Sequence, residues 1–64
     1  MTFSEKVKYV RAKLYLTQKE LAKELGVSFA TVNRWESLGK EPQFLIGKRF
    51  EEFCKEKGIN FEEV

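Results

Sequence analysis

Residues 17–38 read TQKELAKELGVSFATVNRWESL and contain two short helical patterns that meet at a single glycine. The first pattern begins at Thr17, because its hydroxyl and the carboxylate of Glu20 can satisfy each other's free backbone amides. Gly26 stands where a helix commonly ends in a left-handed residue, and Ser28 is a good N-cap for a second helix. The sequence therefore predicts two helices with a very short connection.

The short connection restricts how these two helices can pack. It does not suit a side-by-side antiparallel hairpin, and it favours the steep crossing of a helix-turn-helix motif. Ala22 supplies a small side chain near the predicted crossing. The inward positions around the corner are all apolar: Leu21, Leu25, Val27, Val32 and Trp35. We therefore predict a helix-turn-helix over about residues 17–38, with Trp35 in the core.

Further helical patterns flank the motif on both sides. Thr2 and Glu5 form a second capping-box pattern, and Ser4 is a rival N-cap for the same helix. Val7, Val10 and Leu14 follow at helical spacing. A last long helix is expected from Pro42 or Gln43 to about Lys57, with one apolar face made of Ile46, Phe50, Phe53 and Cys54. Asn60 with Glu63 predicts a final turn. The sequence thus predicts an all-α, compact four- to five-helix bundle, with residues 1–64 as a single domain.

Length and composition exclude several classes of function. The chain has 64 residues, one cysteine and no histidine, which excludes an internal disulfide and argues against a structural zinc site. Glutamate, lysine, tyrosine and one thiol are the available acid–base groups, and their spacing resembles no catalytic pair. We therefore expect no enzyme activity, no metal, no cofactor and no small-molecule substrate. No apolar run approaches the roughly 20 residues of a membrane span, and a cytoplasmic location is expected.

The net charge of +2 is unevenly distributed along the chain. Residues 1–40 carry eight basic and four acidic side chains, whereas residues 41–64 carry four basic and six acidic ones. A basic N-terminal part and an acidic C-terminal part suit a polyanion-binding face on one side of the molecule. A solvated surface of mixed charge would give the same counts, so the charges alone do not decide the function.

The segments LTQKELAKELGVS (residues 16–28) and TVNRWE (residues 31–36) resemble the Cro/phage-repressor (Xre) family. The resemblance extends from about Val7 to Phe61. It implies the lambda-repressor-like five-helix fold, binding of operator DNA and regulation of transcription. It also implies double-stranded DNA as the partner, and it leaves homodimer formation open.

The resemblance implies that the early exposed positions of the third helix contact base edges. In this sequence those positions are Phe29, Ala30, Asn33 and Arg34. Arg34 can donate two hydrogen bonds to guanine, and Asn33 can pair with adenine through two hydrogen bonds. The side chains of Phe29 and Ala30 can contact thymine methyl groups. The resemblance therefore implies that the first turns of this helix recognise the DNA sequence.

Other positions are expected to hold the DNA backbone or to stabilise the domain. The family places a phosphate-binding glutamine at the start of the second helix, which is Gln18 here. The full set of expected phosphate contacts is Thr17, Gln18, Ser28, Ser37 and Lys40. Family members often pair an arginine of the first helix with a glutamate late in the third, and Arg11 and Glu36 occupy those positions as a structural ion pair.

The sequence departs from the family pattern at the start of the third helix. Phe29 and Ala30 replace a polar pair that is common there, and Leu38 is inserted before Gly39. An exposed apolar start suits contact with a protein as well as with thymine. The alternative function is therefore a protein-interaction module that keeps this fold and does not bind DNA.

Overall fold

The computed structural model describes residues 1–61, and within that range it contains four α-helices and no strand. In chain order these are α1 (Phe3–Leu14), α2 (Gln18–Leu25), α3 (Phe29–Leu38) and α4 (Phe44–Glu56). The prediction of an all-α bundle of four to five helices is confirmed. The predicted final turn after Asn60 reaches into residues 62–64, which lie outside the described residues.

Capping boxes begin both α1 and α2. The backbone amide of Thr17 donates to Glu20 Oε1 at 2.8 Å, and the amide of Glu20 donates to Thr17 Oγ1 at 3.1 Å. Thr2 and Glu5 make the same pair of bonds at 2.8 and 3.2 Å. Each box satisfies two amides that a helix start leaves without a partner. Short-range sequence therefore determines where these two helices begin.

Gly26 forms the corner between α2 and α3 with a left-handed φ of 70° and ψ of 33°. The amide of the next residue, Val27, donates back to the carbonyl of Ala22 at 3.0 Å, which closes the end of α2. Arg49 of α4 donates from Nη1 to the carbonyl of Leu25 at 3.5 Å. A Cβ on Gly26 would lie 3.4 Å from that same nitrogen. The positive φ favours glycine at this corner, whereas the guanidinium lies at ordinary contact distance.

A single apolar core joins the four helices. Ala22 is 3% exposed and Trp35 is 4% exposed, and the ring of Phe3 meets Trp35 edge-on at a centroid distance of 5.2 Å. α3 contacts both α1 and α2, and α2 also contacts α4. The predictions that Trp35 and Cys54 are core residues are confirmed. The buried apolar set is Val7, Val10, Leu21, Ala22, Leu25, Val32, Trp35, Phe50, Phe53 and Cys54.

Candidate nucleic-acid interface

α3 has one face in the core and one face open to solvent. Val32 and Trp35 are buried, whereas Ala30 and Arg34 are exposed and Phe29 keeps 45% of its surface exposed. Asn33 is half-buried at the margin of the open face. The structure thus brings the four residues expected to contact bases to the solvent side of one helix, although Asn33 is less accessible than the others.

The first turns of α2 and α3 each hold two unused backbone amides. These are the N–H groups of Gln18 and Lys19 in α2 and of Phe29 and Ala30 in α3, and no hydrogen bond within residues 1–61 uses them. Amides at a helix start carry partial positive charge, and they suit the oxygens of a phosphate group. Both helix starts can therefore contact a phosphate backbone without any side chain.

Three of the expected phosphate contacts use their hydroxyl groups inside the chain. Thr17 accepts within its capping box, and Ser28 Oγ accepts from the amide of Thr31 at 3.2 Å. Ser37 Oγ donates to the carbonyl of Asn33 at 2.7 Å and lies 3.1 Å from Asn33 Oδ1. The hydroxyl of Thr17 only accepts in its capping box, so its proton can still be donated to a ligand. The single hydroxyl proton of Ser37 is already donated to Asn33. Ser37 would have to release Asn33 before its hydroxyl could donate to a phosphate.

A surface groove of about 630 Å³ separates α3 from the segment that leads into α4. Thr31 and Arg34 line it on the α3 side, and Lys40 and Glu41 line it on the other. Arg34 and Lys40 are exposed, and neither side chain has a hydrogen bond or ion pair with another described residue. Two cations against one carboxylate give the groove a positive balance, which attracts a polyanion.

Arg11 and Glu36 connect α1 to the last turns of α3. Arg11 Nε lies 2.6 Å from Glu36 Oε2 and Nη2 lies 2.8 Å from Oε1, so both carboxylate oxygens are held. The third guanidinium nitrogen, Nη1, donates to the carbonyl of Leu16 at 3.2 Å. Ser4 Oγ of α1 donates to the backbone carbonyl of Glu36 at 3.0 Å. These bonds orient α3 relative to the helix beneath it.

The environment of Glu36 keeps its carboxylate ionised. Burial opposes ionisation, but hydrogen bonds from Arg11 and Gln18 and the charge of Arg11 outweigh it, and the pKa of Glu36 is lowered. The hydrogen bond to Glu36 raises the pKa of Arg11 in turn. The pair is therefore fully charged at neutral pH, and Glu36 acts as a hydrogen-bond acceptor with both oxygens.

The side chain of Gln18 lies between Glu36 and Asn33, which sequence reasoning missed. Gln18 Nε2 donates to Glu36 Oε1 at 3.1 Å, and Asn33 Nδ2 donates to Gln18 Oε1 at 3.5 Å. The family assignment placed Gln18 on a phosphate and treated Asn33 separately. Their contact depends on how α2 and α3 pack, and no local sequence pattern indicates it. The spacing of Asn33 and Ser37, four residues apart on one helix, did offer a signal for their bond.

Other classes of site find little support in the part of the chain that the structure describes. No group of three or more acidic, histidine or cysteine side chains there could hold a metal ion. Burial raises the pKa of the Cys54 thiol to about 11, so this thiol is neutral near pH 7. Among residues 1–61, no helix has the length and apolar character that crossing a membrane requires.

Comparison with known proteins gives one family-level result. The family model described as Helix-turn-helix matches residues 7–59. Comparisons with curated proteins and with solved structures give no match. The matched range contains all of α2, α3 and α4 and most of α1, and so it contains every residue expected at the interface.

Proposed function

Because the chain belongs to the Xre-like helix-turn-helix family of DNA-binding domains, we propose that it binds a preferred double-stranded DNA sequence with α3 in the major groove. Members of this family regulate transcription and are not normally enzymes. The open face of α3 carries the proposal, because its exposed residues lie opposite Val32 and Trp35, which anchor the helix in the core. A helix held in this way can enter a groove without unfolding.

Four residues of α3 read the bases in this proposal. Arg34 donates two hydrogen bonds to guanine, and Asn33 forms a pair of hydrogen bonds with adenine. Phe29 and Ala30 contact thymine methyl groups, because their side chains offer only apolar surface. The 45% exposure of Phe29 leaves enough of the ring accessible for such a contact.

Residues around the two helix starts hold the phosphate backbone. Thr17 and Gln18 lie at the start of α2 and Ser28 at the start of α3, beside the unused amides, and Lys40 lies across the groove from Arg34. Contacts of this kind set the position of the protein on the duplex without reading sequence. Ser37 joins them only if its hydroxyl turns away from Asn33.

Selection of bound sites from random double-stranded DNA tests this function directly. We expect enrichment of one short sequence. Two-fold-symmetric sites with half-sites about 10 bp apart would identify a homodimer, and a single half-site would identify a monomer. Binding that is equal on all sequences would contradict sequence-specific reading by α3.

A salt titration tests the phosphate contacts. We expect Lys40→Ala to reduce the slope of log affinity against log salt by about one unit, because one fewer phosphate is neutralised. Lys55→Ala is the matched control, since it removes the same charge from exposed α4 and should leave the slope unchanged. Equal slopes for the Lys40 variant and wild type would remove Lys40 from the interface.

The apolar start of α3 favours one alternative function, a protein-interaction module. Phe29 and Ala30 are both exposed there, and an exposed phenylalanine at a helix start suits a protein partner as well as a thymine methyl group. DNA binding that is absent or insensitive to salt would favour this alternative, because binding to phosphates weakens steeply as salt rises.

A further inference from the structure

A chain of side-chain hydrogen bonds runs from the Arg11–Glu36 ion pair to the open face of α3. Glu36 accepts from Gln18, and Gln18 accepts from Asn33. The Asn33 side-chain oxygen lies 3.1 Å from the Ser37 hydroxyl, which shares its one proton between that oxygen and the Asn33 backbone carbonyl. Gln18 and Asn33 are half-buried, and the Glu36 side chain is 6% exposed. These bonds therefore link the largely covered Glu36 carboxylate to Asn33 at the margin of the open face of α3.

The donors and acceptors of these side chains allow this series of hydrogen bonds to run in only one direction. A carboxylate only accepts hydrogen bonds, so Gln18 must turn its NH₂ group to Glu36 and its oxygen to Asn33. Asn33 must then turn its NH₂ group to Gln18, which leaves its oxygen on the side of Ser37. Rotating the Gln18 amide by half a turn would set an oxygen against the carboxylate and two NH₂ groups against each other. The ion pair thus determines the orientation of the Asn33 amide through Gln18.

We propose that Gln18 is a positioning residue that holds the Asn33 amide in one orientation for reading a base pair, with Glu36 acting through it. This inference rests on the proposed DNA-binding function. When Gln18 holds it in this orientation, Asn33 keeps one N–H and one oxygen lone pair unused. These two groups match the N7 acceptor and the N6 donor of adenine. Gln18 then acts on the bases only through Asn33, while its backbone amide and the second N–H of its side chain are still able to donate to a phosphate.

The free protein tests the first step of the proposal. We expect ¹⁵N relaxation of the Asn33 side-chain amide to show an ordered group in wild type and a loss of order in Gln18→Ala. Gln43→Ala is the matched control, because Gln43 is exposed and makes no side-chain cap bond, so Asn33 should stay ordered there. Equal order of the Asn33 amide in wild type and Gln18→Ala would overturn the proposal.

The second test uses two DNA sites that differ at one base pair. One is the selected site, and the other is changed at the base pair whose preference is lost in Asn33→Ala. We expect wild type to prefer the selected site by about 10-fold or more. Gln18→Ala should lose most of that preference, and Gln18→Ala with Asn33→Ala should lose no more than Asn33→Ala alone. Unfolding midpoints of all variants show that each is folded at the temperature of the assay.

Two outcomes separate this inference from the function on which it rests. Equal weakening of Gln18→Ala on both sites would overturn the inference and make the Gln18 side chain a phosphate contact; the salt slope would stay unchanged in that case, because glutamine carries no charge. If wild type selects no preferred site, sequence-specific binding fails together with the reading role of Asn33. The relaxation measurement would then still show whether Gln18 orders Asn33.

Discussion

Arg11 of α1 and Glu36 of α3 are joined by two parallel hydrogen bonds, Nε to Oε2 at 2.6 Å and Nη2 to Oε1 at 2.8 Å. The two partners differ in exposure, because 26% of the Arg11 side chain reaches solvent and only 6% of the Glu36 side chain does. A guanidinium that loses its partner can therefore reach water more easily than the carboxylate can. This asymmetry predicts unequal effects of breaking the pair from its two sides.

We expect Arg11→Met to destabilise the fold more than Glu36→Gln does. Arg11→Met leaves a largely covered carboxylate without its cation and should cost about 2–3 kcal/mol. Glu36→Gln keeps a hydrogen-bonding group in place and leaves a guanidinium that reaches water, so it should cost about 1–2 kcal/mol. Urea unfolding at neutral pH measures both free energies. Equal losses, or a larger loss in Glu36→Gln, would contradict the asymmetry.

The pH dependence of folding should follow the protonation of Glu36. Its pKa in the fold is lowered from an ordinary value of 4.5, because the hydrogen bonds from Arg11 and Gln18 outweigh burial. A lowered pKa contributes stability that is present above the unfolded pKa and is lost as pH falls through the folded one. We expect the free energy of unfolding in urea to fall as the pH drops below about 5. Glu36→Gln should show a shallower fall over the same range.

The pKa of Glu5 is also lowered, by its hydrogen bonds with Thr2, so part of the acid sensitivity survives in that variant. The difference between wild type and Glu36→Gln is therefore the quantity to compare. Parallel pH profiles would show that Glu36 does not contribute.

We expect Arg34→Ala to weaken binding to the selected DNA site by about 1–3 kcal/mol and to relax the preference at one base pair. Two hydrogen bonds from the guanidinium to guanine are lost in this variant. Arg34→Lys should keep the salt dependence but lose much of the discrimination, because lysine lacks the planar fork of donors. Competition binding with single-base variants of the site measures this. A uniform loss on every sequence would identify Arg34 as a phosphate contact.

We expect Ala22→Leu to destabilise the fold by about 1–3 kcal/mol, because Ala22 is 3% exposed and the added atoms have no room in the core. Ala12→Leu is the matched control. Because Ala12 is exposed on α1, the stability of this variant should change little. Thermal and urea unfolding measure both variants. An unchanged unfolding midpoint for Ala22→Leu would show that α2 does not approach α3 closely at Ala22.

We expect Tyr15→Gly to stabilise the fold by about 0.5–1 kcal/mol. Tyr15 ends α1 with a left-handed φ of 56°, and its side chain is 92% exposed, so the substitution removes strain and almost no packing. A left-handed residue other than glycine costs roughly 1–2 kcal/mol, part of which is offset by the greater freedom of glycine in the unfolded chain. Tyr15→Ala keeps the strained conformation and should be close to wild type. A loss of stability in Tyr15→Gly would mean that the tyrosine ring stabilises the fold.

The beginnings and ends of the helices could be predicted because their causes lie within a few residues. Thr17 and Glu20 bond across one turn, and Gly26 adopts the left-handed conformation that closes α2. The burial of Val32 and Trp35 followed from helical spacing, since positions on one side of a helix enter the core together. The open face of α3, and with it the exposed candidates Phe29, Ala30 and Arg34, follows from the same periodicity.

The partners of the polar side chains were decided only when the helices packed. Arg11 and Glu36 lie 25 residues apart, and their pairing was expected from the family resemblance and not from spacing. The links from Gln18 to Glu36 and Asn33, and from Arg49 to the carbonyl of Leu25, had no sequence signal. Bonds within one turn depend on the chain's own geometry, whereas bonds between helices depend on the relative position of two rigid elements, which the shared core sets.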